Sequence, residues 1–152
     1  MLRSFLAILA GLVLGVTVVW LVELPATLMC PLPAGIDQHD MEAMKKYVAT
    51  LPAPVLAWGV IAWTAGALAG AWLAARIARR APLIHGLVIG LFFLAMDLSM
   101  IFVIPHPLWL ALVGIIAPLV SALVGALLAA RMARPPAPAV RPYDMREKNM
   151  AC

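Results

Sequence analysis

Three stretches of this chain carry no charged residue over lengths that a water-soluble fold does not tolerate: Ser4 to Val22, Tyr47 to Ala75 and Leu98 to Ala130. A fourth runs from Ala81 to Met96 and stops at Asp97. A helix of about 20 apolar residues crosses the hydrocarbon core of a bilayer, where only helices and closed barrels satisfy their own backbone. The last run is too long for one ordinary span, and Pro105-His106-Pro107 divides it, because proline lacks an amide proton and restricts the residue before it. Four spans are therefore predicted, at about 4–24, 55–75, 83–104 and 108–130. A hydrophobic share of 65%, a charged share of 12% and a mean hydropathy of +1.03 exclude a soluble domain.

The chain is also self-similar. Gly70-Ala71-Trp72-Leu73-Ala74-Ala75-Arg76-Ile77-Ala78-Arg79 recurs as Gly125-Ala126-Leu127-Leu128-Ala129-Ala130-Arg131-Met132-Ala133-Arg134, and sliding Leu51–Arg80 by 55 positions onto His106–Pro135 aligns 14 identities in 30. The preceding spans match more weakly, through Gly11-Leu12-Val13-Leu14-Gly15 and Gly86-Leu87-Val88-Ile89-Gly90. The reading is all-α: a four-helix transmembrane bundle built from two parallel hairpin repeats, related by an axis along the membrane normal.

Orientation follows from the basic residues near the helix ends. Arg3, Arg76, Arg79, Arg80, Arg131, Arg134, Arg141, Arg146 and Lys148 fall on one face, and only Lys45 and Lys46 on the other, so both termini are expected in the cytoplasm. Arg76, Arg79, Arg80, Arg131 and Arg134 are placed to meet anionic lipid head groups. The basic balance is a topology signal, and no nucleic-acid partner is expected. The N-terminal segment is too long for a secretory signal and lacks an Ala-x-Ala cleavage site. Thr27-Leu28-Met29 before Cys30 does not make a lipoprotein motif, and Cys30 and Cys152 are expected on opposite sides of the membrane, unable to pair. The membrane domain is set at 1–134, and the proline-rich segment 135–152 is expected to be a disordered cytoplasmic tail.

The connection from Pro25 to Pro54 has content of its own. Asp37 or Asp40 can cap a short helix ending near Thr50, with Met41, Met44, Val48 and Leu51 at helical spacing and a Glu42/Lys46 pair. A small amphipathic helix on the outer membrane surface is expected, near a belt formed by Trp20, Trp58, Trp109 and Tyr47. The run Asp37-Gln38-His39-Asp40-Met41-Glu42, with His106 on the same side, places metal-ligating side chains together. Acidic residues at a helix start are nevertheless expected from the helix dipole alone, so no metal is assigned.

Small residues mark where transmembrane helices approach. Gly11 and Gly15 stripe the first span; Gly59, Gly66 and Gly70 the second; Gly86 and Gly90 the third; Gly114, Ser121 and Gly125 the fourth. These stripes can pack the bundle itself, a homo-oligomer or a larger membrane complex.

Asp97 is the one ionisable residue placed well inside a predicted span, roughly 12 Å below the outer turn at the helical rise. It shares a helix face with Gly86 and Gly90. A charge there needs a partner or water, and Thr64, Ser99 and Thr17 are candidate neutral ligands of a proton or cation site. The opposing reading is a structural acid that hydrogen-bonds across helices. Glu23 is placed at the end of the first span, so the first half offers no matching acid. His85 is expected at the membrane interface. The sequence contains no Ser/His/Asp set, Cys-x-x-Cys pair or nucleotide-binding glycine loop, so no enzyme and no cofactor are assigned.

The segments Gly35-Ile36-Asp37 through Leu51-Pro52, Gly66-Ala67-Leu68-Ala69-Gly70 through Arg79-Arg80, and Ile104-Pro105-His106-Pro107-Leu108-Trp109 resemble a family of small four-span bacterial membrane proteins. The resemblance implies a bacterial inner-membrane protein and carries no activity, cofactor or substrate with it. Two functional expectations stand side by side. The leading one is an accessory or structural subunit that packs through its glycine stripes, and the alternative is a small proton- or cation-coupled transporter or channel that uses Asp97.

Overall fold

A computed structural model describes residues 2–37, 39–104 and 107–133. Gln38, Pro105, His106, Arg134 and the proline-rich tail, with Arg141, Arg146, Lys148 and Cys152, lie outside the described residues. Five helices and no strand are found among them: α1 (Leu2–Met29), α2 (Met41–Thr50), α3 (Ala53–Ala78), α4 (Pro82–Val103) and α5 (Leu108–Met132). All but α2 are long and apolar enough to cross a membrane, which is compatible with a multi-pass membrane protein.

Helix α1 runs past the boundary expected at residue 24. It continues through Pro25 to Met29. Pro25 has no amide to give the Leu21 carbonyl, and side-chain donors support the backbone on either side of the break. The Trp58 indole donates to the Val22 carbonyl at 2.6 Å, and the Thr27 hydroxyl to the Leu24 carbonyl at 2.8 Å. Partners of this kind let a proline stand within a transmembrane helix. Glu23 consequently lies inside α1 rather than at its end.

Proline opens α3 and α4, each carrying one in its first turn, where the missing amide costs nothing. Helix α3 ends at Arg79, which adopts a left-handed conformation with φ 58° and donates its amide to the Ala75 carbonyl at 3.2 Å. Ala81, just before α4, is also left-handed, with φ 46°. Glycine is the usual occupant of such positions.

Helix α3 is the centre of the bundle, packing on α1, α5 and α4, while α4 also packs on α5 and touches α1 only sparingly. Glycine sets the closest crossing. A Cβ on Gly70 would lie 2.6 Å from the Gly11 carbonyl oxygen, and one on Gly11 would lie 2.6 Å from that of Gly70. Gly15 and Gly66 repeat the relation one turn away, at 2.9 and 2.7 Å. On the other side of α3, a Cβ on Gly125 would collide with the Leu68 carbonyl oxygen, while Gly86 and Gly90 of α4 rest on Ala122 and Ala126 of α5. Gly70 and Gly125, aligned by the sequence repeat, thus face different neighbours: Gly70 meets α1, and Gly125 meets α3.

The interior is assembled from small side chains. Ala62, Ala67, Ala71, Ala74 and Ala122 are fully buried with Ile89 and Phe93, whereas Phe102, Leu28 and Trp20 are 85%, 78% and 68% exposed. Large apolar groups outside and small ones inside suit a lipid surround, which gives helices no hydrophobic reason to associate. At the end where α3 turns into α4, the Arg3 Nε donates to the Ile77 carbonyl at 2.7 Å, occupying one of the carbonyls that a helix C-terminus leaves open.

Two stability outcomes follow from this packing. Gly70→Ala should destabilise the bundle by about 1–3 kcal/mol, because the methyl meets backbone and not a movable side chain. Gly59→Ala, whose Cβ would meet nothing within 4 Å, should be neutral or stabilising by up to about 1 kcal/mol, because alanine is the better helix former; thermal unfolding in mild detergent distinguishes the two. Ala81→Gly should raise stability by up to about 1 kcal/mol by relieving the left-handed backbone, read from the same melting curves.

Candidate carboxylate cavity

The close crossings lie in the half of the bundle nearer the arginines. Towards the α2 end the helices part around a cavity of about 260 Å³. Helix α3 contributes Val55, Gly59 and Trp63, and α5 contributes Leu110, Gly114 and Pro118. On each helix these residues are four apart, so each set forms one stripe along the wall. Helix α4 adds Asp97 and Met100, and α1 adds Glu23. Val48 and Leu51, from α2 and its C-cap, close the top.

Asp97 Oδ2 is buried and has no hydrogen-bond partner among the described residues. It points across to α5, where a Cβ on Gly114 would stand 4.0 Å from it. The absence of a side chain at Gly114 leaves that space open, and Pro118 four residues later has no amide to give the Gly114 carbonyl. Glu23 is differently held: the Trp63 indole donates to its Oε1 at 3.1 Å. The Trp63 ring is braced edge-on by Phe93, with centroids 5.9 Å apart at 88°, so the Glu23 partner is fixed by a fully buried aromatic. Among the described residues, no basic side chain lines the cavity.

None of the proposed neutral ligands donates its hydroxyl to Asp97. Thr17 is exposed and donates to the Val13 carbonyl, Thr64 to the Val60 carbonyl, and Ser99 to the Ala95 carbonyl, at 2.8, 2.7 and 2.8 Å. Each hydroxyl serves the preceding turn of its own helix. Thr64 lines a separate apolar groove between α3 and α5. Ser99 borders a larger groove of about 690 Å³, which lies between α1 and α4 under α2 and shares Glu23, Leu51, Val55, Gly59 and Met100 with the cavity. Cavity and groove are therefore contiguous, and the groove opens where α1 and α4 scarcely touch.

Of the glycines, Gly11, Gly15, Gly66, Gly70, Gly86, Gly90 and Gly125 sit at helix crossings, whereas Gly59 and Gly114 border the cavity. Sequence reasoning missed Glu23, Trp63 and Pro118 as cavity residues. The signal for Glu23 was present: it follows Gly15 by eight positions, much as Asp97 follows Gly90 by seven. Reading Pro25 as a helix end concealed it.

The remaining polar groups have local roles. Asp40 caps α2 by accepting from the amides of Glu42 and Ala43, at 3.0 and 3.2 Å, and Asp37 accepts from the His39 amide at 2.9 Å. Glu42 pairs with Lys45 at 2.8 Å, not with Lys46; i, i+3 and i, i+4 positions are both neighbours on a helix, and such a pair is worth little on an exposed surface. The Tyr47 hydroxyl donates to the Cys30 carbonyl at 3.0 Å and ties α2 to the end of α1. His85 is buried at the start of α4, with Nδ1 3.0 Å from the Ala81 carbonyl. Arg76, Arg79, Arg80 and Arg131 are exposed at one end of the bundle, with Arg76 lying 5.8 Å over the Trp72 ring.

The fold and the site together define a helical protein with four segments able to span a membrane and a two-carboxylate cavity between them. Comparison of the chain with models of known families, with curated proteins and with solved structures finds no match.

Accessibility checks the geometry of this site. With Cys30 and Cys152 replaced by Ser, Gly59→Cys should react with a small charged methanethiosulfonate reagent, whereas Ala71→Cys, fully buried at the glycine crossings, should not. Equal labelling of both positions would contradict a cavity confined to the α2 end.

Proposed function

We propose that the protein is a multi-pass bacterial inner-membrane protein that binds and passes a proton or cation through Asp97. The observation that carries this reading is the buried Asp97 Oδ2, which has no partner among the described residues and faces a cavity that none of their basic side chains lines. An ionisable group in a membrane segment is costly and usually marks an ion or substrate path. Both termini and the arginine end lie in the cytoplasm by the positive-inside rule, where Arg76, Arg79, Arg80 and Arg131 meet anionic lipid head groups. Helix α2 then lies at the outer surface, and the cavity is reached from that side.

The two hairpins, α1–α3 and α4–α5, form parallel repeats in this reading. Its support lies at the cavity, which Val55, Gly59 and Trp63 line together with their aligned counterparts Leu110, Gly114 and Pro118. The cytoplasmic half is closed by the glycine crossings, so the arrangement suits a carrier with one-sided access better than an open pore. An accessory subunit assembling through glycine stripes would need those stripes on its surface. Seven of the nine stripe glycines are instead engaged within the chain, which favours the cavity over assembly as the seat of function.

In liposomes containing the purified protein, proton or monovalent-cation flux should fall at least about tenfold in Asp97→Asn while the melting temperature stays within a few degrees of wild type. Undiminished flux in a folded Asp97→Asn variant would remove Asp97 from the path.

A further inference from the structure

We infer that the Asp97 cavity takes an organic monocation with an apolar body, such as an aryl- or alkylammonium, its charge set against Asp97 and its body against the Trp63 wall. This rests on the cation-binding reading above and specifies the ligand. Four observations select that class.

First, among the described residues, the side chains of the wall are apolar apart from the two carboxylates and the Trp63 indole. A hard metal ion needs six or more oxygen donors, and among the described residues no three His, Cys, Asp or Glu side chains group to hold one. Second, the cavity is far larger than a bare ion requires, and apolar walls with a few convergent polar groups are the usual form of an organic-ligand site. Third, the acids are unequal. Glu23 already accepts from Trp63, whereas Asp97 Oδ2 is free to pair with a charge. Fourth, the contiguous groove opens between α1 and α4 along the membrane-spanning part of the bundle, under α2. A ligand that partitions into the lipid interface can reach Asp97 sideways, without crossing the sealed glycine half.

The test uses the full chain in lipid nanodiscs and a matched pair of probes, 2-phenylethylammonium and the uncharged 2-phenylethanol. Binding is read by intrinsic tryptophan fluorescence, to which Trp63 in the wall reports, and by calorimetry. Saturable binding of the ammonium but not the alcohol is expected. Asp97→Asn should weaken it at least about tenfold and Glu23→Gln by a smaller factor, while Thr17→Val, on the exposed face of α1, should leave it unchanged. Sodium or calcium at equal charge concentration should not displace it. Absence of saturable ammonium binding in the folded wild type, equal binding of the alcohol, or affinity unmoved by both acid substitutions would overturn the inference. Asp97-dependent proton flux without ammonium binding would overturn it and leave the transport reading standing; binding without any flux would uphold it and remove transport.

Discussion

The bundle depends on the contact between two backbones. Where α1 crosses α3, Gly11 and Gly15 meet Gly70 and Gly66 so closely that the carbonyl oxygen of each lies where its partner's Cβ would be. No hydrophobic force drives this in lipid, so it rests on close van der Waals packing, which weakens within a fraction of an ångström. Alanine then fills what remains, and the bulky side chains that would make a soluble core are turned outward. The second hairpin uses the same means with a different partner register, Gly86 and Gly90 lying on Ala122 and Ala126. The central helix is gripped on both sides, since Gly125 seats α5 against it.

Close approach at one end of a set of helices leaves space at the other. Below the crossings the interior is sealed by alanine; above them, larger residues such as Trp63 and Leu110 hold the helices apart, and glycine at 59 and 114 adds room where no helix comes near enough to use it. The same residue type therefore closes one half and opens the other, according to what stands opposite. The carboxylates sit in the open half. An acid without a partner is tolerable there, because a cavity contiguous with a groove can admit water or a ligand, whereas the alanine layer could admit neither.

Much of this architecture was legible in the sequence. Four long apolar segments, the small-residue stripes and the place of Asp97 all follow from charge-free run length and the helical period. What was not legible depends on tertiary support. Pro25 reads as the end of a span because the sequence alone does not reveal that Trp58, distant along the chain, reaches the Val22 carbonyl. Once the helix continues, Glu23 becomes an interior acid, and the site changes from one carboxylate to two. The hydroxyls of Thr17, Thr64 and Ser99 were matched to Asp97 by depth, but depth fixes only one of three coordinates, and each hydroxyl bonds its own helix. The glycine at 59 aligns with those at 66 and 70 by angle, yet faces a void because the helices have already diverged there.

The position of the α1–α3 crossing also has a mechanical meaning. Gly11 lies about a third of the way along α1, with an arm of about 27 Å from it to Met29, so that a tilt of about 5° about the glycine contact moves the far end by about 2 Å. The arm is tethered at its short end by Arg3 on the Ile77 carbonyl and at its long end by Tyr47 on the Cys30 carbonyl. Between these two tethers the Trp58 and Trp63 indoles of α3 hold the arm at the Val22 carbonyl and at the Glu23 side chain. Glu23 rides on the long arm, so any tilt of α1 about the glycine contact that carries Glu23 relative to Asp97 has to move or break its bond to the Trp63 indole.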